Sequence, residues 1–95
     1  VVHGVVYLSG KILAEKPDEV RRLIRHEEQI ELAKNHLSQI LDIDHRGRKM
    51  TITTINQWLA IHLGKQFKKT FKGHLKIDRD PFSKEEAVVQ WSQEP

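Results

Sequence analysis

Apolar positions crowd the start of the chain, where Val5, Val6, Tyr7 and Leu8 form a β-branched and aromatic run. That run predicts a strand over Gly4 to Ser9, broken by Gly10. The period then changes. Pro17, Asp18 and Glu19 mark a helix start, because proline is tolerated in a first turn and carboxylates there meet the positive end of the dipole. Val20, Leu23 and Ile24 follow at helical spacing, continued less cleanly by Ile30 and Ala33. Polar Asn35 and His36 predict an end or kink before Leu37, Ile40 and Leu41 turn inward. Leu41 and Ile43 alternate with Asp42 and Asp44, and Met50 and Ile52 alternate with Thr51 and Thr53. Between them His45-Arg46-Gly47-Arg48 supplies the turn of a hairpin.

A second helix is predicted over Ile55 to Phe71, with Thr53, Thr54 or Asn56 able to cap its free amides. Leu59, Leu63, Phe67 and Phe71 repeat every fourth residue as one apolar stripe, and Gly73 stops the helix. Leu75 and Ile77 alternate with His74 and Lys76 as a strand; Asp80-Pro81 is a turn; Ala87, Val89 and Trp91 alternate as a final strand. The order strand, helix, hairpin, helix, hairpin predicts an α+β fold: a mostly antiparallel sheet with two helices on one face. A ferredoxin-like arrangement with one added strand fits this order, and other α+β topologies fit it too.

Composition narrows the class. The 95 residues suffice for one hydrophobic core, so a single domain is expected over 1–95. With 38% apolar and 31% charged residues, the chain is globular rather than disordered. No run approaches the ~18 apolar residues of a membrane span, so no membrane partner is expected. Val1 to Leu8 has no basic n-region, so no signal peptide is read there. The absence of cysteine removes any disulfide framework and agrees with a reducing, cytoplasmic setting. A start at valine rather than methionine suggests a fragment of a longer chain.

The formal charge of +3 is mild, and its distribution says more. Lys65, Lys68, Lys69 and Lys72 follow i, i+3, i+4, i+7 spacing and share one side of the second helix. At about 100° per residue, Trp58, Ile61 and His62 fall on the same side. Such a stripe can contact several phosphates by counterion release, and an indole beside it can stack on an unpaired base. Arg46, Arg48 and Lys49 make a second basic cluster at the hairpin turn. The competing account is that lysines on an outer helix face are simply solvated and Trp58 packs under a loop.

Sharper motifs are missing. An RNA-recognition-motif domain would carry stacking aromatics on its central strands; Tyr7 is the only aromatic of the first strand, and Met50 to Thr54 has none. No GxxG loop or zinc-finger spacing occurs. His3, His26, His36, His45, His62 and His74 are scattered, and only folding can bring His26 and Glu27 near His62 or His74. Ser9-Gly10-Lys11 lacks the remaining glycines of a phosphate loop, and Ser9 lacks a GxSxG elbow. The D-x-D pairs Asp42/Asp44 and Asp78/Asp80 fall by alternation on a solvent face. Glu27, Glu28 and Glu31 cluster beside Arg21, Arg22 and Arg25; Arg25 can reach Glu28, and exposed ion pairs of this sort carry little weight. No catalytic residue, metal ligand, cofactor or small-molecule substrate is therefore expected.

Several segments together resemble a known group. These are Val5 to Gly10, Arg22 to Glu28, Leu37 to Ile43, Thr53-Thr54, Trp58 to Ala60, Leu63 to Lys65, Phe71 to Gly73 and Val88 to Trp91. They look like short bacterial conserved proteins grouped with the nonsense-mediated-decay adaptor family, which is linked to ribosome stability and large-subunit export. The resemblance implies a paired-CxxC zinc ribbon upstream of Val5 to Gly10, with this chain as the α+β body. It also implies a ribosomal association, by analogy alone. The sequence thus leads to a non-enzymatic RNA- or ribosome-associated module that meets phosphate through Lys65, Lys68, Lys69, Lys72, Arg46, Arg48 and Lys49, with Trp58 alongside. The alternative is a protein-interaction or homodimerisation domain that pairs through an exposed edge strand such as Ala87 to Trp91.

Overall fold

The computed structural model describes residues 4–34, 38–79 and 87–93. Along the chain run β1 (Gly4–Ser9), α1 (Lys11–Glu15), α2 (Pro17–Lys34), β2 (Ile40–Arg46), β3 (Lys49–Thr54), α3 (Gln57–Phe71), β4 (His74–Arg79) and β5 (Ala87–Ser92). The strands form one sheet in the order β2-β3-β1-β5-β4. Every pairing is antiparallel except β1 with β5. The α+β fold expected from the sequence is present, with the short α1 as an addition.

The added strand sits inside the sheet. Without β5, the remaining order and directions are those of a ferredoxin-like sheet. Insertion between β1 and β4 makes β5 an interior strand, hydrogen-bonded on both sides. Pairing of copies through an exposed Ala87 to Trp91 edge is therefore ruled out. The edges are β2 and β4, which carry Asp42, Asp44 and Arg46, and His74, Lys76 and Asp78. Charged side chains along an edge discourage pairing with another chain.

One face of the sheet holds the core. Val6 and Leu8 of β1 lie level with Ile52 and Met50 of β3 and with Val89 and Trp91 of β5. All six are buried, together with Leu13, Val20 and Ile24 from α1 and α2 and Leu59, Leu63 and Phe67 from α3. The every-fourth-residue stripe is thus inward, with Phe71 half-buried beside Phe67 and Trp91. α3 lies close to the sheet at Gly64, where a Cβ would meet Val89 Cγ1 and stand 2.9 Å from Leu75 Cδ1. Any side chain there would push the helix off the sheet.

Local signals account for the element ends. Asn56 caps α3, its side-chain oxygen accepting from the Leu59 N–H at 2.9 Å. In the two-residue hairpin loop Gly47 has φ 59°, while no positive φ occurs at Arg48. That combination suits a turn with glycine at its first central position. β2 departs from the expected alternation: a bulge between Ile40 and Asp42 puts Ile40 and Ile43 against the core and leaves Leu41 46% exposed. The predicted inward turn of Leu41 is corrected accordingly. Asn35, His36, Leu37 and the Asp80-Pro81 turn lie outside the described residues.

Candidate nucleic-acid interface

Topology brings the two basic clusters to one end of the molecule. β3 runs away from the hairpin turn, and α3 returns antiparallel to it and hands the chain to β4. The register across the sheet at that end is His74, Ser92, Ser9, Lys49, Arg46, from β4 through β5, β1 and β3 to β2. Four interstrand steps of about 4.8 Å make the row roughly 19 Å wide. Gln93 ties this end together. Its N–H donates to the Ser9 carbonyl at 2.8 Å, its side chain accepts from the Ile12 N–H at 3.4 Å and donates to the Phe71 carbonyl at 3.4 Å. The Gly10 N–H donates to the Arg48 carbonyl at 2.9 Å, which brings Lys11 beside the hairpin.

Lys65, Lys68, Lys69 and Lys72 are all exposed, as are Arg46, Arg48 and Lys49. Among the described residues none of the four α3 lysines is in an ion pair. Lys72 Nζ donates to the Lys69 carbonyl at 3.3 Å. Arg46 Nε meets Asp44 Oδ1 at 3.2 Å, an exposed pair of the kind worth little. Lys68 and Lys69 in the last turn also complement the negative end of the α3 dipole. That stabilising role does not extend to Lys65, one turn earlier, or to the hairpin residues.

Of the remainder of the predicted face, Ile61 and His62 are corrected. Trp58 is 55% exposed, but Ile61 is buried and His62 belongs to a polar clamp between helices. His62 Nε2 lies 2.6 Å from Glu27 Oε2, and Nδ1 lies 3.4 Å from Glu31 Oε1. Two carboxylates of α2 thus interrupt the cationic side between Trp58 and Lys65. Glu27 and Glu28 are buried, not exposed as the sequence suggested. Glu28 accepts from Arg25 Nη1 at 3.0 Å and from the Ile40 N–H at 2.7 Å, anchoring α2 to the start of β2. A helical wheel cannot reveal this, because the partner helix and strand lie far along the chain.

Folding does bring Glu27 to His62, yet His26 stays exposed. Among the described residues no group of three or more His, Cys, Asp or Glu side chains is arranged to hold a metal ion. Asp42, Asp44 and Asp78 are exposed on the sheet, as alternation predicted; Asp80 is outside the described residues. No described helix is long and apolar enough to cross a membrane.

Sequence reasoning passed over the sheet face opposite the helices. Tyr7, Ser9, Thr51, Gln90 and Ser92 lie there with Lys49 around an open cavity of about 380 Å³. The available signal was the phase of Tyr7 and Ser9 against Val6 and Leu8 in β1. The fold is an α+β domain in which, among the described residues, helices cover one sheet face and leave the other open. No family model, no curated protein and no solved structure matches the chain.

Proposed function

We propose that this chain is a non-enzymatic RNA-binding module whose basic end, formed by Lys65, Lys68, Lys69 and Lys72 of α3 and by Arg46, Arg48 and Lys49 of the hairpin, contacts phosphate. The observation that carries this reading is the convergence of two basic clusters, distant in sequence, on one end of the fold with exposed side chains. A polyanion repeats its charge at short intervals and gains from every cation within reach, by release of condensed counterions. The choice of RNA, ribosomal RNA included, comes from the family resemblance and from analogy.

Fluorescence anisotropy of labelled RNA between about 50 and 200 mM salt tests it. Four phosphate contacts predict a roughly 50-fold loss of affinity over that range. Lys68→Glu with Lys69→Glu is expected to weaken binding and flatten the salt dependence. Unchanged affinity in that variant, or no binding at the lowest salt, rejects the reading.

A further inference from the structure

The uncovered sheet face has an ordered pattern of side chains. Residues directly opposite one another on paired strands share a face, so the register defines rows. At the basic end stands His74, Ser92, Ser9, Lys49, Arg46; next comes Lys76, Gln90, Tyr7, Thr51, Asp44; beyond it lies Asp78, Val88, Val5, Thr53, Asp42. None of these fifteen positions is buried, and among the described residues no element covers them. Charge therefore runs from cationic at one end to acidic at the other. Tyr7, on the central strand, lies in the middle row and is 47% exposed.

The cavity lies where the basic and middle rows meet, and its volume falls in the range of about 300–1,000 Å³ typical of small-ligand sites. Its exposed or half-buried lining offers the Tyr7 ring, the Lys49 ammonium group, four hydroxyls from Tyr7, Ser9, Thr51 and Ser92, and the Gln90 carboxamide, over the buried Leu8, Met50 and Trp91. An exposed ring offers a surface for a flat heterocycle. Hydroxyls and an amide can pair with base edges and a ribose 2′-OH, and Lys49 sits toward the end where phosphate would be drawn. The acidic far row repels phosphate, which sets the direction. The body of a duplex cannot use this surface, because its bases are stacked on both sides and only the two end pairs present a π-face.

We propose that the open sheet face is a stacking platform for an unpaired nucleotide of single-stranded RNA, with the base on Tyr7 and the adjoining phosphate at Lys49. The strand crosses β5, β1 and β3 along the basic row and continues onto the basic end. This inference rests on the RNA-binding reading above and names the form of RNA that it takes.

The test uses a fluorescein-labelled single-stranded oligouridylate and a blunt RNA duplex, with the unmodified chain, Tyr7→Val and Tyr7→Phe. Valine preserves strand preference at this exposed position. Thermal unfolding verifies that each variant is folded. Tyr7→Val is expected to weaken oligouridylate binding on the order of tenfold without altering its salt dependence, and to leave duplex binding unchanged. Tyr7→Phe keeps the ring and should bind like the unmodified chain. In parallel, titration of the ¹⁵N-labelled chain with oligouridylate should shift the amides of Tyr7, Thr51 and Gln90. Full binding by Tyr7→Val, or shifts that avoid those amides, overturns the platform. If that occurs while the Lys68→Glu, Lys69→Glu variant still loses affinity, the phosphate reading survives and only the platform falls. If neither RNA binds the unmodified chain at low salt, both fall.

Discussion

Lys72 follows the last turn of α3 with φ 64° and ψ −153°, a region that side chains rarely occupy. Its backbone is held from two sides. The Lys72 N–H closes the helix on the Lys68 carbonyl at 3.0 Å, and its carbonyl accepts from Trp91 Nε1 at 2.6 Å. A buried indole N–H without an acceptor is costly, so the core stabilises a conformation the lysine itself disfavours. Strained positions of this kind cost about 1–3 kcal/mol and persist where the surroundings over-determine them. Lys72→Gly should therefore raise stability by about 1 kcal/mol, seen as a melting temperature higher by about 4–8 °C. The same variant should bind RNA more weakly. A lower melting temperature would show that Lys72 is unstrained. Gly73 was legible as a helix stop, but the conformation of Lys72 was not, since Trp91 dictates it from 19 residues away.

At the scale of elements, α2 and α3 are joined by polar contacts as well as apolar ones. Glu27 and Glu31 of α2 flank His62 of α3, and Glu27 is buried. Replacing His62 by leucine would leave the Glu27 carboxylate inside without its donor, and a buried group in that state costs about 1–3 kcal/mol. His62→Leu is thus expected to destabilise by that amount in urea unfolding. Adding Glu27→Leu should recover much of the loss, because removing both partners avoids the orphaned carboxylate. If the double variant lost the full sum of the two single effects, the clamp would carry no coupling energy. The existence and start of α2 were readable from Pro17, Asp18 and Glu19. The burial of Glu27 and Glu28 was not, because helical spacing identifies neighbours on one helix but not what lies opposite. β2 shows the same limit: alternation through Leu41 predicted its inward turn, and a single bulge reversed it.

For the whole molecule, the consequence of the topology is that charges read separately along the chain act as one surface. Reversing the hairpin pair by Arg48→Glu with Lys49→Glu should weaken RNA binding as the α3 reversal does. Combining the two pairs should flatten the salt dependence beyond either alone, since each lost phosphate contact lowers the slope by about 0.7–0.9. Anisotropy titrations at several salt concentrations measure this. A hairpin variant with unchanged affinity and slope would confine the footprint to α3. The interior place of β5 matters here too. It sets Gln90 and Ser92 beside Tyr7 in the proposed platform, and it moves the sheet edge to β4, whose His74, Lys76 and Asp78 oppose strand-to-strand association.

Periodicity, punctuated by glycine, proline and first-turn carboxylates, determined the α+β class, the number and order of the major elements, the inward stripe Leu59, Leu63, Phe67 and the exposure of the α3 lysines. Those features follow from 2.0 and 3.6 residue repeats, which are properties of neighbouring positions. Tertiary structure decided what depends on distant partners: where β5 inserts, which acids α2 buries, how Lys72 is bent, and which sheet face stays open. The phase of a strand separates its two sides but carries no sign, and only the packing of α3 on Val6, Ile52 and Val89 left Tyr7 facing outward.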